Sequence, residues 1–94
     1  MLNKEKDNFY RKYTNKDIDG LEKDTSIFTI FVEVASDGRV LREVGLDNDG
    51  KIVHKCPSKQ YKYGTYGVFD LARIDVSNQV NDLSKEEFES LWKK

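Results

Sequence analysis

The chain has 94 residues, of which 37% are hydrophobic and 35% are charged, and its formal net charge is −1. This length predicts a single domain with one modest core, and the balanced charge opposes a strongly basic type of nucleic-acid binder. The single cysteine and single histidine exclude an internal disulfide and the zinc sites that need several such ligands. We therefore predict no cofactor and no metal.

The hydropathy of the chain predicts a cytoplasmic protein without a membrane partner. No apolar run approaches the roughly 20 residues of a membrane span. The opening letters MLNKEKDNF also lack the hydrophobic stretch of a secretion signal.

The N-terminal part of the chain predicts one short helix. Phe9, Tyr10 and Tyr13 stand at helical spacing and would form an aromatic stripe on a helix within residues 2–14. The acidic stretch that follows indicates a turn-rich connection. We expect residues 1–25 to be loosely ordered unless this helix docks, because short helices are marginal alone.

Three segments predict an antiparallel meander. The letters SIFTIFVEV, RVLREVGL and KIVHKC combine alternating apolar residues with the β-branched and aromatic types that strands favour. The turns between them carry Asp37-Gly38 and Asp49-Gly50, because glycine accepts positive φ without a steric clash. Pro57 ends the third segment, since proline cannot donate to a ladder. A further short strand is predicted near residues 71–76.

The C-terminal segment predicts a capped helix that packs on the sheet. Ser84 and Glu87 form a capping box, and Phe88, Leu91 and Trp92 make one apolar face. The predicted fold class is therefore α+β, with an antiparallel sheet of three to five strands and this helix on one face. The predicted core consists of Phe28, Ile30, Val32, Val34, Val40, Val44, Ile52, Phe88, Leu91 and Trp92.

The candidate catalytic groups do not form a recognisable constellation. His54 and Cys56 share a strand face, but no motif indicates a nucleophile pair, and we expect a half-buried cysteine beside a surface histidine. Glu33 and Glu43 are strand-borne carboxylates that nothing in the sequence brings into one pocket. Arg42 and Glu43 are adjacent and lie on opposite faces, so Glu33 is expected across from one of them, with cross-strand ion pairing as its role. We therefore predict that the chain is not an enzyme.

The stretch KQYKYGTYG, residues 59–67, interleaves tyrosines with lysines. It lies in a basic block of the chain, because residues 51–74 carry five basic groups and one acidic group. Three interpretations stay open: an edge strand protected by lysines, a protein-binding surface, or a surface that stacks bases and holds phosphates.

The chain carries the short motifs Asp37-Gly38, Arg42-Glu43-Val44 and Asp49-Gly50 and the terminal pattern S-x-E-E-F-E-x-x-W at residues 84–92. Together these motifs resemble a family of small bacterial domains of unknown function. The resemblance covers residues 33–56 and 83–92. It implies a small domain without an established activity, similar in size to the immunity proteins that neutralise bacterial toxins.

These observations together predict a small non-enzymatic protein-binding module of the immunity type, which inhibits a bacterial toxin. The alternative is a small RNA or single-stranded nucleic-acid-binding domain that uses residues 59–67. The predicted partner-binding residues are Lys59, Tyr61, Lys62, Tyr63, Tyr66, Arg42 and Glu43.

Overall fold

The computed structural model describes residues 8–18, 26–57, 67–69, 74 and 81–94. These residues form one antiparallel sheet in the order β1-β2-β3-β4, followed by one helix. The strands and the helix are β1 (Phe9–Thr14), β2 (Thr29–Val34), β3 (Val40–Leu46), β4 (Ile52–Cys56) and α1 (Lys85–Trp92). The α+β fold and the meander of the three predicted strands are thus confirmed.

The prediction of an N-terminal helix is wrong for residues 9–14, because these residues form the edge strand β1. Tyr10 pairs with Glu33 of β2 and lies on the helix side of the sheet, where its ring centroid is 5.3 Å from that of Phe88. Phe9 and Tyr13 pack on the opposite side. Both sides of the sheet are covered, so apolar side chains in β1 need not alternate with polar ones. The predicted helical residues before Asn8 lie outside the described part of the chain.

The core has two layers, one on each side of the sheet. Ile27, Ile30, Val32 and Val34 form the first layer. The second layer, on the helix side, contains Tyr10, Val44 and Phe88. Of the predicted core, these members are buried: Ile30, Val32, Val34, Val44 and Phe88. Four others, Val40, Ile52, Leu91 and Trp92, are partly buried against the two layers. Phe28 is only partly buried, and the prediction missed Ile27 and Tyr10.

The predicted turns and helix cap are present. Gly38 and Gly50 have φ angles of 92° and 83°, which explains why each turn needs glycine. The Ser84 side chain accepts a hydrogen bond from the Glu87 amide at 3.0 Å, and the Glu87 carboxylate accepts one from the Ser84 amide at 2.7 Å.

Within the described ranges, no helix has the length and apolar character to cross a membrane.

The outer edge of β1 is closed by side-chain acceptors. The Tyr10 amide donates to Asn81 Oδ1 at 2.8 Å, and the Lys12 amide donates to Asp82 Oδ2 at 2.9 Å. The Thr14 amide donates to Asp17 Oδ2 at 2.8 Å. Every second amide of the strand is thereby satisfied, so this edge offers few donors to another strand.

Candidate functional site

Arg42 connects the sheet to the helix through two carboxylates. Its Nε and Nη2 atoms lie 2.7 and 3.1 Å from the two carboxylate oxygens of Glu33 on β2. The Nη2 and Nη1 atoms lie 2.6 and 3.2 Å from those of Glu89 on α1. Arg42 is also the register partner of Glu33. The expected cross-strand ion pair of Glu33 is therefore confirmed, and its partner is Arg42.

Aromatic rings complete the surroundings of the Arg42 guanidinium. Its central carbon lies 5.0 Å from the Phe88 ring centroid and 5.1 Å from that of Trp92, within the range of cation–π attraction. Hydrogen bonds to Glu33 and Glu89 raise the pKa of Arg42. This side chain is thus fixed by the fold on the helix side of the sheet.

Glu33 is the centre of the same network. It accepts further hydrogen bonds from the Tyr10 hydroxyl at 3.0 Å and from the side-chain Nδ2 of Asn8 at 3.2 Å. Burial raises the pKa of Glu33, but hydrogen bonds from Arg42, Tyr10 and Asn8 outweigh burial and lower the pKa overall. Burial, together with the hydrogen bond to Glu33, raises the pKa of Tyr10 to about 12.

Glu43 occupies the opposite side of the sheet, where it anchors a distant loop. Its two oxygens accept hydrogen bonds from the amides of Val68 and Phe69 at 2.7 and 2.8 Å. The Nε2 atom of His54 lies 2.7 Å from the same carboxylate. Glu43 is 3% exposed and His54 is 7% exposed, so the prediction of a surface histidine is wrong.

Gly45 leaves room for the buried His54 side chain to pack closely against β3. A Cβ atom at Gly45 would lie 3.0 Å from the Cβ of His54 and 3.0 Å from side-chain atoms of Ile27. A residue with a Cβ atom at position 45 would therefore force these two side chains to shift. Cys56 is the register partner of Glu43 and forms no disulfide. In the described ranges, no group of three or more His, Cys, Asp and Glu residues could hold a metal ion.

The predicted partner-binding residues divide into two sets. Arg42 and Glu43 lie on opposite sides of the sheet, and both form hydrogen bonds within the chain. The others lie outside the described residues, so their role stays a prediction: Lys59, Tyr61, Lys62, Tyr63 and Tyr66.

An open groove lies between the sheet and α1 on the helix side. Its volume is about 560 Å³, within the usual range for binding clefts. The floor is apolar and half-buried, and it consists of Phe31, Leu83 and Leu91. The rim is polar and exposed, and it consists of Lys12, Asp82, Glu86, Glu87 and Ser90.

The rim has an excess of carboxylates. Asp82 is paired with Arg11, whose Nε lies 3.0 Å from Asp82 Oδ2. Burial raises the pKa of Asp82, but hydrogen bonds from the Lys12 amide and from Arg11 lower the pKa overall. Glu86 and Glu87 add two carboxylates in the first turn of α1. Among the groove residues that the structure describes, Lys12 is the one with a basic side chain.

The sequence did not reveal this groove, because its walls come from three distant segments. The available signals were the apolar Phe31 on the second face of β2 and the acidic first turn of the helix. Comparison with family models, with curated proteins and with solved structures gave no match to this chain.

Proposed function

We propose that this chain is a small, non-enzymatic protein-binding module that acts as an immunity-type inhibitor of a bacterial toxin. The groove between the sheet and α1 carries this proposal. Three half-buried apolar side chains lie open beside an acidic rim there. Apolar surface surrounded by polar groups is typical of interaction sites, and rim charges set the specificity and the association rate.

The two buried carboxylates support a binding role over a catalytic one. Glu33 accepts hydrogen bonds from Arg42, Tyr10 and Asn8. Glu43 accepts them from two loop amides and contacts His54. General acid–base chemistry needs a carboxylate within reach of a substrate, whereas these two groups are used to hold the fold together.

The toxin is the proposed partner because of charge and resemblance. A carboxylate-rich rim complements a basic surface, and proteins that act on nucleic acids carry such surfaces. The motifs at residues 33–56 and 83–92 resemble small bacterial domains that are similar in size to immunity proteins. Binding to a toxin of that kind would block its positively charged surface.

The second candidate function is the binding of RNA or single-stranded nucleic acid. The basic character of residues 51–74 and the tyrosines within residues 59–67 favour this alternative. It predicts an affinity that falls steeply with salt concentration, because phosphate contacts release counterions.

A capture experiment distinguishes the two functions. The tagged chain is expressed in its native host and purified with and without RNase, and the bound material is identified by mass spectrometry. A stoichiometric protein that resists RNase, and whose toxicity on expression is relieved by this chain, supports the proposal. Loss of the bound material on RNase treatment supports the nucleic-acid alternative. A captured protein that is not toxic removes the inhibitor role.

A variant with Tyr61, Tyr63 and Tyr66 changed to alanine tests the contribution predicted for the tyrosines. The prediction is weaker capture of the partner by a folded variant. Unchanged capture would remove these residues from the binding surface.

A further inference from the structure

We infer that the groove between the sheet and α1 binds an amphipathic helix of the partner protein that carries lysine or arginine beside apolar residues. This inference rests on the proposed protein-binding function and specifies the chemistry of the bound segment. Three features of the chain support it: the apolar floor, the acidic rim and the closed edge of β1.

The floor requires apolar side chains in the partner. Phe31, Leu83 and Leu91 pack against the core layer that contains Phe88, yet each retains exposed surface facing the groove. Burying this surface against an apolar side chain removes it from water, which is the dominant favourable term in most association.

The rim favours a basic side chain in the partner near Glu86, because Asp82 already pairs with Arg11 and the Glu87 carboxylate already accepts a hydrogen bond from the Ser84 amide. Asp82, Glu86 and Glu87 lie around the start of α1, whereas Ser90 and Leu91 lie one turn further along. Four helical residues span about 6 Å along the axis. Leu91 follows Glu86 by five residues, so a basic residue facing Glu86 and an apolar residue facing Leu91 should lie a little more than one helical turn, about 7.5 Å, apart in the partner.

The closed edge of β1 favours a helix over an extended peptide. The amides of Tyr10, Lys12 and Thr14 already donate to acceptors within the chain. An extended segment laid against β1 would therefore find few backbone partners, although strand addition depends on them. A helix satisfies its own backbone groups and binds a groove through side chains at positions i, i+3 and i+4.

Two designed peptides serve as probes. One is a helical peptide with leucine and lysine on a single face, and the other has glutamate in place of each lysine. Fluorescence anisotropy measures the dissociation constant of each peptide for the purified chain. We expect the lysine peptide to bind and the glutamate peptide to bind at least about tenfold more weakly, because like charges would meet at the rim.

Three variants locate the binding site, and each raises the net charge of the chain by one unit. Ser90→Lys places a long cation in the groove, Glu86→Gln removes a rim carboxylate, and Asp49→Asn neutralises an exposed carboxylate in the β3–β4 turn. We expect Ser90→Lys to weaken binding of the lysine peptide about tenfold or more. Glu86→Gln should weaken it about threefold, as for an exposed ion pair. Asp49→Asn should leave it unchanged.

The folded state of each variant is checked by thermal unfolding. Ser90 is exposed on α1, and lysine has a higher helix propensity than serine, so Ser90→Lys should not unfold the helix. Equal effects of all three variants would indicate long-range attraction and overturn the inference. Equal binding of both peptides, or binding of neither, would overturn it too.

Failure of this inference is distinguishable from failure of the proposed function. Capture of a toxin by both the wild-type chain and the Ser90→Lys variant would overturn the groove as the docking site, while the inhibitor role would stand. Groove-specific binding of the lysine peptide, without any toxin captured from the host, would overturn the inhibitor role and support the groove chemistry.

Discussion

Replacement of Arg42 by methionine is the sharpest test of how much the Glu33–Arg42 ion pair stabilises the fold. Arg42 is 20% exposed and its partner Glu33 is 9% exposed. Removing one partner of a buried ion pair costs about 3–5 kcal/mol, because the remaining charge stays buried without compensation. Tyr10 and Asn8 still donate to Glu33 in the variant. The expected loss of unfolding free energy is therefore near the lower limit, about 3 kcal/mol.

Urea unfolding followed by circular dichroism measures this loss. With a slope of about 1–1.5 kcal/mol per molar urea for a domain of this size, the midpoint should fall by about 2–3 M. The matched control is Arg39→Met in the neighbouring turn. Arg39 pairs with Asp37, and the two side chains are 59% and 51% exposed. The Arg39→Met variant should lose no more than about 0.5 kcal/mol of unfolding free energy, as expected for an exposed ion pair.

A double-mutant cycle separates the pair from other effects of the substitution. Arg42→Met and Glu33→Gln are combined, and the coupling energy is the amount by which the double variant departs from additivity. We expect about 2 kcal/mol or more, since removal of both charges leaves no uncompensated ion. A coupling energy no larger than that of the exposed Arg39 pair, or a loss below about 1 kcal/mol in Arg42→Met, would refute the reasoning.

Three further predictions concern the titrating and buried groups. Burial and the hydrogen bond to Glu33 raise the pKa of Tyr10 to about 12, so an ultraviolet absorbance titration should show a tyrosine that ionises only at high pH. Tyr10→Phe should remove this high-pH step, whereas Tyr13→Phe should leave it in place. The pKa values of Glu33 and Glu89 are lowered in the folded state. Between these lowered values and the ordinary value of 4.5, the unfolded state therefore binds more protons than the folded state. The unfolding free energy should therefore fall as pH decreases from that value, less steeply in Glu89→Gln. Glu43→Gln should cost about 2–3 kcal/mol in urea unfolding, because an amide cannot accept all three hydrogen bonds, and hydrogen exchange should accelerate at the two loop amides.

The elements that the sequence predicted are those specified by neighbouring residues. The alternation in β2, the Asp-Gly turns and the Ser84–Glu87 capping box each lie within a few positions of chain. The sequence also predicted a cross-strand ion pair for Glu33, although the register shift beside Glu33 decides that its partner is Arg42. These features are fixed by local backbone geometry, so a single sequence is enough to find them.

The elements that the sequence did not predict depend on distant contacts. The aromatic residues of β1 match a helical spacing, and their strand conformation is selected by pairing with β2 and by capping from Asn81 and Asp82. Glu89 as a second partner of Arg42 requires the placement of α1 on the sheet. Glu43 as the acceptor for the amides of Val68 and Phe69 requires residues about 25 positions away to pack against β3. Tertiary contacts override local preference in each case.

The closed edge of β1 has a consequence for synthesis of the chain. The acceptors Asn81 and Asp82 follow the amides that they satisfy by about 70 positions. During translation the amides of Tyr10 and Lys12 therefore emerge long before their partners exist. Because unpaired strand edges are aggregation-prone in partly folded chains, the nascent protein is most vulnerable until residue 82 has left the ribosome.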